Sequence, residues 1–132
     1  MHDAGHCENV APTVSNRVKS ASLLERMIDR LVAQRSCLRY AASMVLDLPG
    51  PVLEVGLGKG RTYDYLRTLF PDREIFAFDR TVHALENCTP DPDHLILGEL
   101  RQTLPDALRH IGTRAALVHA DIGSTDPSID QA

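Results

Sequence analysis

The chain has 132 residues, of which 43% are hydrophobic and 24% are charged, and 14 Lys and Arg against 18 Asp and Glu give a net charge of −4. This length and composition predict one globular domain with a hydrophobic core of its own. The acidic balance and the lack of a Lys/Arg run in the sequence argue against nucleic acid and against an anionic membrane surface as partners.

The location of the protein is predicted from what the sequence lacks. No stretch approaches 18 consecutive apolar residues, and the N-terminal MHDAGHCENV has no apolar signal-peptide core, so we expect neither membrane spanning nor export. Three cysteines, Cys7, Cys37 and Cys88, have no C-x-x-C spacing. They favour a reducing, cytoplasmic setting.

Residues 1–20 are polar and are predicted to form a flexible tail. Potential metal ligands in this tail are His2, Asp3, His6 and Cys7. Because terminal segments are usually mobile and no second ligand cluster follows, we predict no metal site.

Residues 21–50 are predicted to be helical. Ser22 followed by Glu25 is a capping-box pattern that marks a helix start. Apolar residues then recur at helical spacing in two stripes, Leu23, Leu24, Met27, Ile28, Leu31 and Val32, and Leu38, Ala41, Ala42, Val45 and Leu46. The pattern fits one bent helix or two consecutive helices broken near Ser36, and it ends at the L-P-G-P sequence of residues 48–51. We expect both stripes to pack on a sheet.

A strand–helix–strand unit follows. Residues 51–56 form an apolar run, residues 61–70 (RTYDYLRTLF) have a helical pattern, and residues 74–79 (EIFAFD) are a second short apolar run. Residues 80–93 contain two prolines and room for only one helical turn around residues 82–86, so the usual crossover helix is predicted to be a loop.

The second half of the pattern repeats this alternation. Residues 94–97 are predicted to be a brief third strand, and a helix is expected from Pro105, capped by Thr103, to Gly112. Residues 115–121 (AALVHAD) are predicted to be the fourth strand, on which His119 and Asp121 share a face. Strands alternating with helices predict an α/β fold with a parallel sheet.

The turn after the first strand carries the chemistry. Gly56, Gly58 and Gly60 follow each other at alternate positions, whereas a dinucleotide-binding turn has the spacing G-x-G-x-x-G. Glu54 precedes them at the end of an apolar strand. A carboxylate at this place would repel a pyrophosphate but suits an ammonium or sulfonium group.

The sequence of residues 54–60, acid-x-G-x-G-x-G, resembles motif I of the class I S-adenosylmethionine-dependent methyltransferases. The resemblance covers roughly residues 52–123 and implies a three-layer Rossmann-like sheet with strand order 3-2-1-4 in this chain. It also implies S-adenosyl-L-methionine as cofactor. Because the family's full sheet has seven strands, the sheet is expected to be incomplete, and a second copy of the chain could cover the exposed edge of strand four.

The expected organisation is a tail at residues 1–20 and a single domain at residues 21–132. Within that domain, residues 21–50 are the helical N-terminal segment, residues 51–123 the cofactor-binding sheet and residues 124–132 a second tail. The resemblance implies that this domain is methyltransferase-like.

The cofactor-binding residues follow partly from spacing and partly from the resemblance. Asp79 lies 19 residues after Gly60 at the end of the second strand, where an acid accepts hydrogen bonds from ribose hydroxyls. The resemblance further implies that the glycine loop passes under the methionine portion and that Glu54 faces its ammonium group. It implies that Glu99 and Leu100, just after strand three, contact the adenine.

Asp121 and His119, at the mouth of strand four, are the candidates for substrate contact and base catalysis. The leading hypothesis is a methyltransferase that acts on a small molecule. The alternative is a module with the same fold that binds S-adenosylmethionine without turnover. A nicotinamide-dependent reductase is disfavoured by the glycine spacing and by Glu54.

Overall fold

The structure is a computed structural model that describes residues 21–122. Four strands form a parallel sheet, namely β1 (Val52–Val55), β2 (Ile75–Asp79), β3 (Leu95–Leu97) and β4 (Leu117–Ala120). Three α-helices flank it, α1 (Leu23–Met44), α2 (Arg61–Leu69) and α3 (Leu100–Ile111). The predicted tails, including the four potential metal ligands of the N-terminal one, lie outside the described residues.

The strand order is β3-β2-β1-β4, so the predicted order and the α/β class are confirmed. Alternate residues of each strand face opposite sides of the sheet. Val52 and Ala77 pack in a core with α1 and α2, whereas Leu53 and Phe78 pack in a second core with α3. Helices therefore cover both faces, as the three-layer prediction requires.

Helix α1 is continuous, which settles the choice between one helix and two. The capping box is present, because the Ser22 hydroxyl accepts from the Glu25 amide and the Glu25 carboxylate accepts from the Ser22 amide. The expectation that both apolar stripes pack on the sheet is wrong for the first. Leu38, Ala42 and Val45 are buried, but the first stripe is 44–77% exposed.

The reason is length. The 22 residues of α1 span about 33 Å, whereas four-residue strands span about 13 Å. The C-terminal end of α1 leads into the start of β1, so its N-terminal half extends past the opposite, carboxyl ends of the strands. The first half of the helix overhangs the edge of the sheet where a ligand is expected.

Helix α3 begins earlier than predicted. It starts at Leu100, and the Glu99 carbonyl accepts from the amides of Gln102 and Thr103 at 2.9 Å. Pro105 therefore lies inside the helix, where it cannot donate to the preceding turn. The predicted end is confirmed, since Gly112 has a left-handed conformation and caps the helix.

The connection from β2 to β3 contains no α-helix, as predicted. It instead has two 3₁₀ turns, Glu86–Cys88 and Pro92–His94, somewhat later than the expected turn at residues 82–86. Within the described residues β4 pairs only with β1, and its Val118 side chain is 55% exposed. None of the helices in residues 21–122 is long and apolar enough to cross a membrane.

Candidate functional site

The glycine loop joins β1 to α2 at the carboxyl edge of the sheet. A side chain at Gly56 would meet the Asp121 carbonyl oxygen at 2.6 Å, and one at Gly60 would collide with the Cys88 carbonyl oxygen. At Gly58, by contrast, a Cβ atom would have no neighbour within 4 Å. Two of the glycines therefore permit close packing of the protein, and the third faces open space.

Asp79 holds this loop from below. Its Oδ2 atom accepts hydrogen bonds from the backbone amides of Leu57 and Gly58, both at 3.0 Å. The end of β2 is also tied to the residue after β3, because the Gly98 amide donates to the Asp79 carbonyl oxygen at 2.9 Å. The carboxylate thus lies directly beside the glycine turn and is half-buried.

A cavity of about 240 Å³ lies between this loop and the overhanging half of α1. Its wall includes, among others, Met27, Arg30, Leu31 and Gln34 from α1, Gly56 and Gly58 from the loop, and Asp121 after β4. Lys59, Arg61 and Thr62, at the start of α2, complete it. The first turn of a helix presents unpaired amide groups and a partial positive charge, which favours an anionic group here.

Gln34 crosses the cavity. Its Nε2 atom donates to Thr62 Oγ1 at 3.3 Å and lies 3.5 Å from Asp121 Oδ2. This one side chain from α1 links the start of α2 to the end of β4, so it holds the helix over the site.

Glu54 and His119 form a buried pair beside the cavity. The Glu54 side chain is 1% exposed, and its two carboxylate oxygens lie 2.9 and 3.1 Å from His119 Nδ1. Register explains the contact, because Glu54 on β1 lies opposite His119 on β4. Neither residue is part of the cavity wall.

The pKa values of both groups are raised by their surroundings. Burial raises the pKa of the Glu54 carboxyl above its ordinary value, although the hydrogen bond with His119 acts against this. The hydrogen bond that the Glu54 carboxylate accepts raises the pKa of the His119 imidazole, and this effect outweighs the opposing effect of burial.

Glu99 and Leu100 lie on the other side of Asp79. The Glu99 carboxylate is exposed and forms an ion pair with Arg80, with Nε and Oε1 3.1 Å apart. Leu100 packs against the α3 core. They are not among the residues that line the cavity.

The sequence profile of the S-adenosyl-L-methionine methyltransferase family matches residues 21–132. The chain belongs to this family. A crystal structure of an S-adenosyl-L-methionine methyl transferase from Silicibacter pomeroyi DSS-3 is 46% identical to it, over 85% of this chain and 70% of that one, with a TM-score of 0.76. No protein of curated function matches the chain significantly.

Membership of the family confirms the predicted activity and cofactor, S-adenosylmethionine-dependent methyl transfer. It argues against the nicotinamide reductase. The residues at the carboxyl edge fit the cofactor. Gly58 leaves room beside the loop, Asp79 can accept from hydroxyls, and Arg30, Lys59 and Arg61 suit a carboxylate.

Sequence reasoning found the loop and the acids but did not identify which residues of α1 line the cavity. Arg30 and Gln34 border the cavity, and neither was singled out. A signal was present, since Gln34 lies at helical spacing between Leu31 and Leu38, on the apolar stripe. A polar residue at such a position marks the point where the helix leaves the sheet.

Proposed function

We propose that the cofactor binds in the cavity between α1 and the glycine loop and that a small-molecule acceptor approaches it at Asp121. The observation that supports this is the open space at Gly58, which lines the cavity under α1 and whose amide donates to the Asp79 carboxylate. Elsewhere along the loop, Gly56 and Gly60 are packed against the protein itself.

Each predicted residue has a role in this proposal. Gly56, Gly58 and Gly60 shape the loop under the methionine portion, and Asp79 accepts from the ribose hydroxyls. Glu54 provides negative charge for the ammonium group. Glu99 and Leu100, at the start of α3, would contact the adenine. The hydrogen bond from Gly98 to Asp79 supports this last assignment, because it brings the ends of β2 and β3 together.

S-adenosylmethionine supplies an electrophilic methyl group, so the protein has mainly to align the acceptor and exclude water. Met27 and Leu31 give the cavity apolar walls on the α1 side, which suits both tasks. Asp121 faces the same space, and its carboxylate is placed to accept a proton from a hydroxyl or ammonium acceptor. Because His119 Nδ1 contacts Glu54, we assign His119 a supporting role rather than that of the base.

Isothermal calorimetry with S-adenosylhomocysteine tests the cofactor site. We expect Asp79→Asn to weaken binding by about 1–3 kcal/mol, the scale of a lost charge-assisted hydrogen bond. Asp72→Asn, an exposed acid near the start of β2, is the matched control and should bind normally. Equal affinities for both variants would remove Asp79 from the ribose.

Methyl-donor consumption with a panel of small amines, thiols and hydroxyl compounds tests the acceptor. Turnover with at least one compound and none with proteins or nucleic acids supports a small-molecule substrate. Turnover confined to a macromolecule would contradict it.

We further propose a cytoplasmic homodimer that covers the β4 edge. The exposed Val118 on an edge strand supports the dimer, because such edges are usually covered. Cys37 and Cys88, both unpaired thiols, support a reducing compartment. Sedimentation velocity should show a dimer that Val118→Lys weakens; a monomer at all concentrations would reject the dimer.

A further inference from the structure

Glu54 is the one charged residue among residues 21–122 that is fully buried. An ionised carboxylate inside a protein is strongly destabilising unless a cation or hydrogen-bond donor replaces its water. His119 is that partner, since its Nδ1 atom lies within hydrogen-bond distance of both Glu54 oxygens. The His119 side chain is 20% exposed and so connects the buried acid to solvent.

The same carboxylate is proposed to serve the ammonium group of the cofactor. One buried carboxylate then has two possible cationic partners. An imidazolium and an ammonium ion at the same carboxylate would repel each other in a region of low dielectric constant. The arrangement is therefore stable with either partner charged, but not with both.

The charged surroundings do not remove this conflict. The two acids that act on His119 are Glu54 of β1 and Asp121 at the end of its own strand. Across the cavity, α1 contributes Arg30, and the loop and α2 contribute Lys59 and Arg61. These three side chains border the same cavity as Asp121 and suit the carboxylate of the ligand, so they do not stabilise a second cation beside Glu54.

We propose that His119 is a positioning residue that holds Glu54 while the site is empty and releases it, with loss of a proton, when Glu54 receives the ammonium group. The inference rests on the proposed cofactor site. This role explains why Glu54 does not line the cavity in the empty protein although the proposed cofactor site uses its charge for the ammonium group. Glu54 exchanges one cationic partner for another, and His119 becomes neutral.

A proton balance follows. The hydrogen bond with Glu54 raises the pKa of His119 in the empty protein, and the loss of that partner lowers it in the complex. Binding therefore releases up to one proton at a pH between the two values. Affinity should therefore rise with pH from about 6.5, the ordinary histidine value, until the pH exceeds the raised pKa of His119 in the empty protein.

Calorimetry in phosphate and in Tris measures this proton directly, because the two buffers differ in their heat of ionisation. With S-adenosylhomocysteine as probe, the wild-type protein should release a measurable fraction of a proton at a pH just above the ordinary histidine value of about 6.5. 5′-Methylthioadenosine, which lacks the amino acid portion, is the matched ligand and should release none.

Two variants assign the proton. His119→Gln keeps an amide that can donate to Glu54 but does not titrate, so its binding should release no proton and should not vary with pH. His94→Gln is the control, because His94 is also held by carboxylates but lies at the other edge of the sheet. It should behave like the wild type.

The outcomes separate this inference from the one on which it rests. Binding of S-adenosylhomocysteine without proton release, or full release by His119→Gln, would overturn the role of His119 and leave the cofactor site intact. Equal release with 5′-methylthioadenosine would assign the proton to a group other than the Glu54 pair and would also overturn it. No heat with S-adenosylhomocysteine would overturn both proposals.

Discussion

The two edges of the same sheet differ in how their polar groups are used. At the amino edge, Arg73 donates to the carbonyl oxygens of Gly50 at 2.9 Å, Val45 at 2.7 Å and Leu46 at 3.2 Å. At the carboxyl edge, Gly58 and Asp121 face a cavity under α1. Both edges are rich in loops, glycine and charge, so composition alone does not distinguish them.

Nor does the volume of the open space identify which edge binds a ligand. A depression of about 570 Å³ lies at the amino edge, beside residues 46–51 and Arg73, and is larger and more open than the 240 Å³ cavity. Its glycine, Gly50, has no room for a side chain because the Arg114 carbonyl oxygen occupies that space. At the amino edge the polar groups of Arg73 are used in hydrogen bonds within the protein, whereas at the carboxyl edge Gly58 faces free space. Four substitutions test this difference.

The largest expected effect is that of Gly58→Val. A branched side chain would occupy the space beside the loop, so affinity for S-adenosylhomocysteine should fall at least about 100-fold, equivalent to about 2.7 kcal/mol. Gly112→Val is the matched control. Gly112 also has a positive φ, 70° against 53° at Gly58, and its Cβ position is also empty, but it ends α3. Calorimetry on both variants, with urea unfolding to measure the shared backbone cost, checks the prediction; equal binding would reject the loop as the site.

Arg73→Met, at the amino edge, should lower stability rather than binding. It removes three hydrogen bonds from a charged donor and the guanidinium group that lies over the Phe70 ring, so the free energy of unfolding should fall by about 2–4 kcal/mol. Cofactor affinity should not change. Arg109→Met, which loses only an exposed pair with Asp106, should be nearly neutral. A loss of binding by Arg73→Met at temperatures where it is folded would mean that the amino edge takes part in the site.

The sequence predicted the carboxyl edge better than the amino edge, for a physical reason. Glycine spacing and the acids at strand ends are local patterns, and Gly56, Gly58, Asp79 and Asp121 do meet around one loop. The hydrogen bonds of Arg73 join segments more than 20 residues apart, and no local pattern indicates them.

The overhang of α1 was also out of reach of local patterns. Its apolar stripe is continuous at helical spacing, but whether a turn is buried depends on the length of the strands beneath it. The start of α3 was misplaced for a different reason. Proline is frequent in the first turn of a helix, so the sequence favoured a start at Pro105. The helix starts earlier because the Glu99 carbonyl accepts backbone hydrogen bonds, and these have no sequence signature.

Asp121→Asn tests the open edge at the acceptor rather than at the cofactor. The amide remains close to Gln34 but cannot take a proton, so turnover with hydroxyl acceptors should fall about tenfold or more. Affinity for S-adenosylhomocysteine should be nearly intact. Asp47→Asn, at the rim of the amino-edge depression, should leave both quantities unchanged. Weakened cofactor binding with normal turnover at saturation would place Asp121 with the cofactor instead.

The smallest effect should come from His94→Gln, at the amino edge of the sheet. His94 Nδ1 lies 2.8 Å from Asp91 Oδ1, and its Nε2 lies 3.2 Å from Glu74 Oε1. These bonds, with Asp91 first, raise the pKa of His94 above its ordinary value. A raised pKa in the folded state stabilises the fold fully below the unfolded value, about 6.5, and the contribution disappears as the pH rises through the folded value. The difference in Tm between wild type and His94→Gln should therefore be a few degrees near pH 5.5 and should shrink towards pH 8. If the difference grew with pH, the imidazole would be stabilising the fold in its neutral form. The contribution of His94 at the amino edge would then come from packing against the nearby Phe76 ring rather than from charge.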